Sequence, residues 1–212
     1  DFRSDAMGMN TSMTVILPEK TDLSQVPVVY LLHGLEDNCT GWARYTSVER
    51  YAREKNAALV MPEVQRSFYA DMDRGLPYFT FIHDELPEIC RGFFGFSAKR
   101  EKNYLMGLSM GGYGALKCGL LAPETFSAVA SLSGGVDAVE IASNDAIKGN
   151  DGLFFDIFGP ADKVKGSDND LFAVAERLAK RPEMMPKIYM WCGTEDFLYQ
   201  SNLRMRDHLR TL

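Results

Sequence analysis

The stretch Asn103-Tyr-Leu-Met-Gly-Leu-Ser-Met-Gly-Gly-Tyr-Gly-Ala-Leu116 constrains this chain more than any other. Tyr104 to Leu108 is apolar enough for a buried strand, and the chain from Met110 to about Ala122 reads as a helix. Between them lies Gly107-Leu108-Ser109-Met110-Gly111, a G-x-S-x-G match. A strand that turns this abruptly into a helix brings the residues flanking the serine too close for side chains. Glycine at 107 and 111 removes the conflict, and the turn thrusts the Ser109 hydroxyl into the open. The helix start behind it offers unpaired N–H groups to a developing negative charge. Chance produces such a match in roughly one chain in fifteen of this size. The same residues also describe a glycine-rich helix packed closely on a sheet, so the decision rests on partners elsewhere in the chain.

Those partners depend on the order of elements. Met13 to Leu17, Val28 to Leu32, Ala57 to Met61, Tyr104 to Leu108, Phe126 to Leu132 and Lys187 to Cys192 read as strands. Trp42 to Lys55, Tyr78 to Phe94 with a break or kink at Pro87, Met110 to Ala122, Leu171 to Ala179 and Leu198 to Leu212 read as helices. Val64 to Pro77 is a loop. The segment 136–169, punctuated by glycines, reads as an excursion over the sheet edge and a candidate cap. Strands alternating with helices predict an α/β fold: a mostly parallel sheet covered by helices on both faces, in a single domain over residues 1–212. In such sheets the site lies at the carboxyl ends of the strands. His33-Gly34-Leu35, Ser109 and Glu195-Asp196 all follow strands.

Composition narrows the partners. A net charge of −6 argues against a nucleic-acid partner, and no apolar run approaches the length of a membrane span. Cys39, Cys90, Cys118 and Cys192 are widely spaced with no C-x-x-C pairing. They read as free thiols, which favours a reducing compartment and the cytoplasm over a disulfide scaffold, with secretion left open. The chain begins at Asp1, so a processed or trimmed N-terminus stays open, as does a homo-oligomer.

A serine nucleophile needs a base, an acid to orient it and donors for the oxyanion. Asp196 is the candidate acid, with Glu195 in reserve; the alternative is that Asp196 merely caps the final helix. The candidate oxyanion donors are the backbone N–H groups of Leu35 and Met110. Of the three histidines, His33 suits a positioning role. His83 precedes the serine, and His208 lies deep in the last helix. A base in this arrangement belongs on a loop after one more strand, so that strand and the base are expected beyond Leu212. No cofactor or metal is called for: Glu63, Asp71 and Asp73 lack a ligand spacing and read as solvated loop charges. Trp42, Tyr45, Phe68, Tyr69 and Phe79 are candidates for a pocket wall, with core packing as the commoner role for such residues.

Tyr30-Leu-Leu-His-Gly-Leu-Glu-Asp-Asn38 with Trp42, then Gly107-Leu-Ser-Met-Gly-Gly-Tyr-Gly-Ala115, then Cys192-Gly-Thr-Glu-Asp-Phe197 resemble the esterase D-like "putative esterase" branch of α/β-hydrolases. Gly8-Met-Asn-Thr11 and Gly159-Pro-Ala-Asp162 look most like its tributyrin esterase group. The resemblance covers essentially the whole chain. It implies the α/β-hydrolase fold, here without its last strand, with Ser109 as nucleophile, Asp196 as acid and a base past Leu212. It implies a serine carboxylesterase acting on small short-chain acyl esters. S-formylglutathione-type thioesterase, feruloyl or acetylxylan esterase, acyl transfer and a catalytically inactive binding protein stay open as alternatives.

Overall fold

The computed structural model describes residues 1–19, 21–143 and 152–212. The central sheet is built from six strands: β3 (Met13–Ile16), β4 (Val28–Leu32), β5 (Ala58–Pro62), β6 (Asn103–Leu108), β7 (Ala128–Leu132) and β8 (Lys187–Trp191). Their spatial order is β3-β5-β4-β6-β7-β8. Only β3 runs antiparallel to its neighbour; β5, β4, β6, β7 and β8 are parallel. A separate antiparallel pair, β1 (Phe2–Ser4) with β2 (Met9–Thr11), precedes them. Three-residue strands leave no alternation to detect, so this pair was not legible in the sequence.

The helices are α1 (Gly41–Tyr45), α2 (Val48–Glu54), α3 (Tyr78–Thr80), α4 (Leu86–Phe94), α5 (Met110–Leu121), α6 (Ala138–Ser143), α7 (Leu153–Phe158), α8 (Ala161–Val164), α9 (Leu171–Leu178) and α10 (Tyr199–Thr211). They cover both sheet faces, as strand β4 illustrates. Its residues Val28, Tyr30 and Leu32 are buried in the larger core with Phe81, Leu116 and Phe126. Leu31 is buried on the other side with Val48, Ala52 and Leu59. A strand buried on two faces has no polar side to show, which is why 28–32 is apolar throughout.

Several boundaries differ from the expectation. The helix expected over 42–55 is two helices, because Thr46 is extended at φ −134°. Its hydroxyl donates to the Trp42 carbonyl at 2.5 Å and accepts the Val48 N–H at 3.1 Å, so the side chain replaces the helical ladder there. The break expected at Pro87 takes the form of a wide-turned segment over Phe81–Glu85 that runs directly into α4, and the widened turn accommodates Pro87, which has no N–H to give to the preceding turn. The strand expected from Phe126 begins at Ala128. The excursion at 136–169 contains α6, α7 and α8, although residues 144–151 lie outside the described set. Its helix α7 is tied to the 64–77 loop: the Ile157 carbonyl accepts the Asp73 N–H at 3.0 Å and the Asp156 carbonyl accepts the Arg74 N–H at 2.8 Å. Strand β8 forms one edge of the sheet, and its Tyr189 and Trp191 are 58% and 54% exposed. Among the described residues no strand pairs with its outer side.

Helix α5 carries a fully enclosed cation. Lys117 is 2% exposed; its Nζ donates to Asn169 Oδ1 at 2.6 Å and lies 4.8 Å from the centre of the Phe79 ring. Burial pulls its pKa from 10.5 down to about 8. The unfolded chain therefore holds this proton at pH values where the folded chain has released it. The stabilising contribution is complete above about pH 10.5 and is lost as pH falls through about 8. Lys117→Met should show this directly. The difference in unfolding free energy, wild type minus variant, is expected to rise by about 3 kcal/mol between pH 7 and pH 10.5 in denaturant titrations. A flat difference would contradict the assignment.

Candidate active site

Ser109 sits between β6 and α5 with φ 57° and ψ −117°. A non-glycine residue in this region carries about 1–3 kcal/mol of strain and persists only where its surroundings hold it. The surroundings do so on three sides: the Ser109 N–H donates to the Leu132 carbonyl at 2.9 Å, and its own carbonyl accepts the N–H groups of Tyr113 and Gly135, both at 3.1 Å. Both flanking glycines are required by contact. A Cβ on Gly107 would lie 2.9 Å from Gly111 Cα, and one on Gly111 would lie 2.6 Å from the Leu32 carbonyl carbon and 2.8 Å from the His33 carbonyl oxygen. The Ser109 side chain is half-buried, and no hydrogen bond among the described residues occupies its hydroxyl.

The loop after β4 lies beside the serine. A Cβ on Gly34 would be 3.7 Å from both Ser109 Cβ and the Leu108 carbonyl oxygen. Its backbone is held at several points. Trp42 Nε1 donates to the Leu32 carbonyl at 3.1 Å, the Tyr69 hydroxyl donates to the His33 carbonyl at 3.0 Å, and Glu63 Oε2 accepts the Cys39 N–H at 3.1 Å. No bond among the described residues uses the Leu35 N–H, and Met110, as first residue of α5, has no partner within its helix. Both N–H groups expected to serve as oxyanion donors are thus unclaimed, one on the loop after β4 and one at the first residue of α5.

Asp196 lies in the turn between β8 and α10. Its Oδ1 accepts the Leu198 N–H at 2.9 Å, its N–H donates to the Gly193 carbonyl at 3.1 Å, and its carbonyl accepts the Tyr199 N–H at 2.9 Å. Part of the carboxylate therefore shapes the entry to α10, while Oδ2 has no hydrogen-bond partner among the described residues. Glu195 is exposed on the same turn. The Cys192 thiol at the end of β8 is pushed up by burial and, to a lesser extent, by the Asp196 charge.

The loop after β7, which sequence reasoning did not single out as part of a site, joins these pieces. Ser133 N–H donates to the Trp191 carbonyl at 2.7 Å, Asn202 Nδ2 on α10 donates to the Gly134 carbonyl at 2.9 Å, and Gly135 N–H holds the Ser109 carbonyl. The paired glycines at 134 and 135 were the available signal.

None of the three histidines bonds to Ser109. The His33 ring is 1% exposed; its Nδ1 donates to the Gly34 carbonyl at 2.8 Å and its Nε2 accepts the Val64 N–H at 3.2 Å, so both nitrogens serve backbone. His83 pairs with Asp84 at 2.8 Å and stacks on Phe79, and His208 meets the Phe172 carbonyl at 3.2 Å. Of the candidate pocket aromatics, Phe68 and Tyr69 are buried next to the site, Trp42 packs on the opposite sheet face, Phe79 lies under Lys117 and Tyr45 is 73% exposed. Asp71 is taken up by the Thr80 N–H and hydroxyl, both at 2.8 Å, and Glu63 by Cys39 and Gln65.

A strained serine between strand and helix, at the carboxyl ends of a mostly parallel sheet covered on both faces, defines an α/β-hydrolase. The family described as "Putative esterase" matches residues 4–209. An acetyl esterase of Caldicellulosiruptor saccharolyticus is 32% identical over 224 aligned residues, covering 99% of this chain and 84% of the relative. Two solved structures from Staphylococcus aureus are each 34% identical, with 99% of this chain and 84% of theirs covered. They are the fluorophosphonate-binding serine hydrolase FphF, with a TM-score of 0.90, and the S-formylglutathione hydrolase FrmB, with a TM-score of 0.87. The chain belongs to the "Putative esterase" family and is a serine esterase.

Proposed function

We propose that this protein is a carboxylesterase that hydrolyses short-chain acyl esters through an acyl-enzyme on Ser109. The observation that carries the reading is the strained, unclaimed Ser109 hydroxyl set against the Gly34 backbone. Ser109 Oγ attacks the ester carbonyl as its proton passes to a base. The N–H groups of Leu35 and Met110 take up the oxyanion. The collapsing intermediate returns the proton to the departing alcohol, and water then releases the acid by the same steps in reverse.

Asp196 is the acid that orients the base. Ser109 follows β6 and Asp196 follows β8, with β7 between them, so the strand ends are about 10 Å apart. This spacing suits an imidazole that bridges the two exit loops. All three histidines are engaged elsewhere, so the proposed base is a histidine outside residues 1–212. The free thiols at Cys39, Cys90, Cys118 and Cys192 agree with a cytoplasmic setting. Among the described residues, no helix is long and apolar enough to cross a membrane.

The likeness to an S-formylglutathione hydrolase favours one second reading, thioester hydrolysis at the same serine. A fluorophosphonate should add one label, mapped to Ser109, in the native polypeptide. A panel of p-nitrophenyl acetate, p-nitrophenyl butyrate, a feruloyl ester and S-formylglutathione then ranks the substrates. Labelling elsewhere, or no turnover of any panel member, would sink the reading.

A further inference from the structure

The 64–70 segment carries backbone strain, and no hydrogen bond among the described residues joins it to Ser109. Phe68 and Tyr69 both have φ 50°, a left-handed conformation that bulky residues rarely adopt. Two consecutive aromatic residues held this way persist only where the surroundings fix them.

Tyr69 is fully buried, and its ring lies in a notch on α5 that exists because residue 114 is glycine; a Cβ there would come within 3.0 Å of Tyr69 Cβ and closer still to the ring. From that notch the hydroxyl reaches across to donate to the His33 carbonyl at 3.0 Å. On the same segment the Phe68 N–H points to Met110 Sδ at 3.3 Å. One dipeptide therefore touches both residues that open the loops at Ser109: His33 at the end of β4, and Met110 at the start of α5.

The consequence follows from peptide geometry. The C=O and N–H of a trans peptide point in opposite directions. The Gly34 carbonyl is held by His33 Nδ1 at 2.8 Å and by the Asp37 N–H at 3.2 Å, so the Leu35 N–H of that peptide must face the other way. The preceding peptide plane is held through its own carbonyl by Tyr69. The His33 ring is itself held by the Val64 N–H, at the start of the segment that carries Tyr69.

We propose that Tyr69 is a positioning residue: a strut from the nucleophile helix to the loop after β4, which works with the His33 ring to aim the Leu35 N–H at the oxyanion. This rests on the proposed role of Leu35 as an oxyanion donor. The strut makes no contact with substrate and acts only on where a backbone N–H points.

The test is Tyr69→Phe in the native polypeptide, which removes one oxygen and no volume. Removing a whole oxyanion donor costs about 10²–10³ in kcat, so mis-aiming one should lower kcat for p-nitrophenyl acetate about tenfold or more, with KM within about twofold. The inhibition constant of an alkyl trifluoromethyl ketone, whose serine adduct carries an oxyanion, should weaken by the same factor. A merely structural role would lower the melting temperature and leave that constant unchanged. Values of kcat and the inhibition constant both within about twofold of wild type would overturn the strut. If Tyr69→Phe is unfolded at the assay temperature, kcat and the ketone inhibition constant are compared for both proteins at a lower temperature where melts show the variant folded, with the same tenfold and twofold thresholds deciding. Ser109→Ala is assayed alongside. Retained turnover there overturns the esterase site and the strut with it, whereas normal loss there with an unaffected Tyr69→Phe overturns the strut alone.

Discussion

Ser109→Ala should abolish ester hydrolysis, lowering kcat by about four orders of magnitude or more, because the proposed bond-forming atom is removed and water in its place gains little from the remaining site. The variant should stay folded. The Ser109 hydroxyl makes no hydrogen bond among the described residues, so alanine leaves no buried partner unpaired. The strained φ of 57° is no worse for alanine than for serine. The contacts that hold the turn are backbone bonds through the Ser109 N–H and carbonyl, which the substitution keeps. Purified variant and wild type are compared by turnover of p-nitrophenyl acetate and by thermal melts. A variant that melts like wild type and retains more than about a hundredth of the activity would remove Ser109 from the chemistry.

Gly111→Ala is the second large effect, and it acts through packing. The added methyl would sit 2.6 Å from the Leu32 carbonyl carbon and 2.8 Å from the His33 carbonyl oxygen. Both are main-chain atoms of a central strand and its exit loop, so no side chain can swing away. Either α5 withdraws from β4 or the loop carrying Leu35 is displaced, and each separates Met110 from Leu35. Overpacking of this kind costs about 3 kcal/mol, which for a domain of this size lowers the melting temperature by roughly 10 °C. Activity should fall about a hundredfold or more, since the two proposed oxyanion donors would no longer converge beside Ser109. Gly92→Ala is the matched control. It lies in α4 with nothing within 4 Å of the new Cβ, and should gain about 0.5–1 kcal/mol from helix propensity. Comparable melts for Gly111→Ala and wild type would show that the turn tolerates a side chain where the geometry says it cannot.

Much of this architecture was legible because the signals were local. Apolar runs too short for helices marked the parallel strands, and glycines at 107 and 111 marked a turn with no room for Cβ atoms. Helix boundaries were less legible where one side chain overrode a pattern. Thr46 broke the helix expected over 42–55 by bonding its own turn, and Pro87 moved the irregularity to the preceding Phe81–Glu85 segment. The short β1–β2 pair left no period to read.

The site divides the same way. The sequence by itself determined the strand–turn–helix around Ser109, the loop that carries Leu35 and the turn that carries Asp196, because each is set by residues adjacent in the chain. The tertiary structure alone decided that His33 spends both ring nitrogens on backbone, that Asp196 gives one carboxylate oxygen to the Leu198 N–H, and that Tyr69 reaches from a notch at Gly114 to the His33 carbonyl. Those contacts join residues distant in sequence. Their existence depends on where parallel strands set their exit loops side by side, and no local propensity encodes that register.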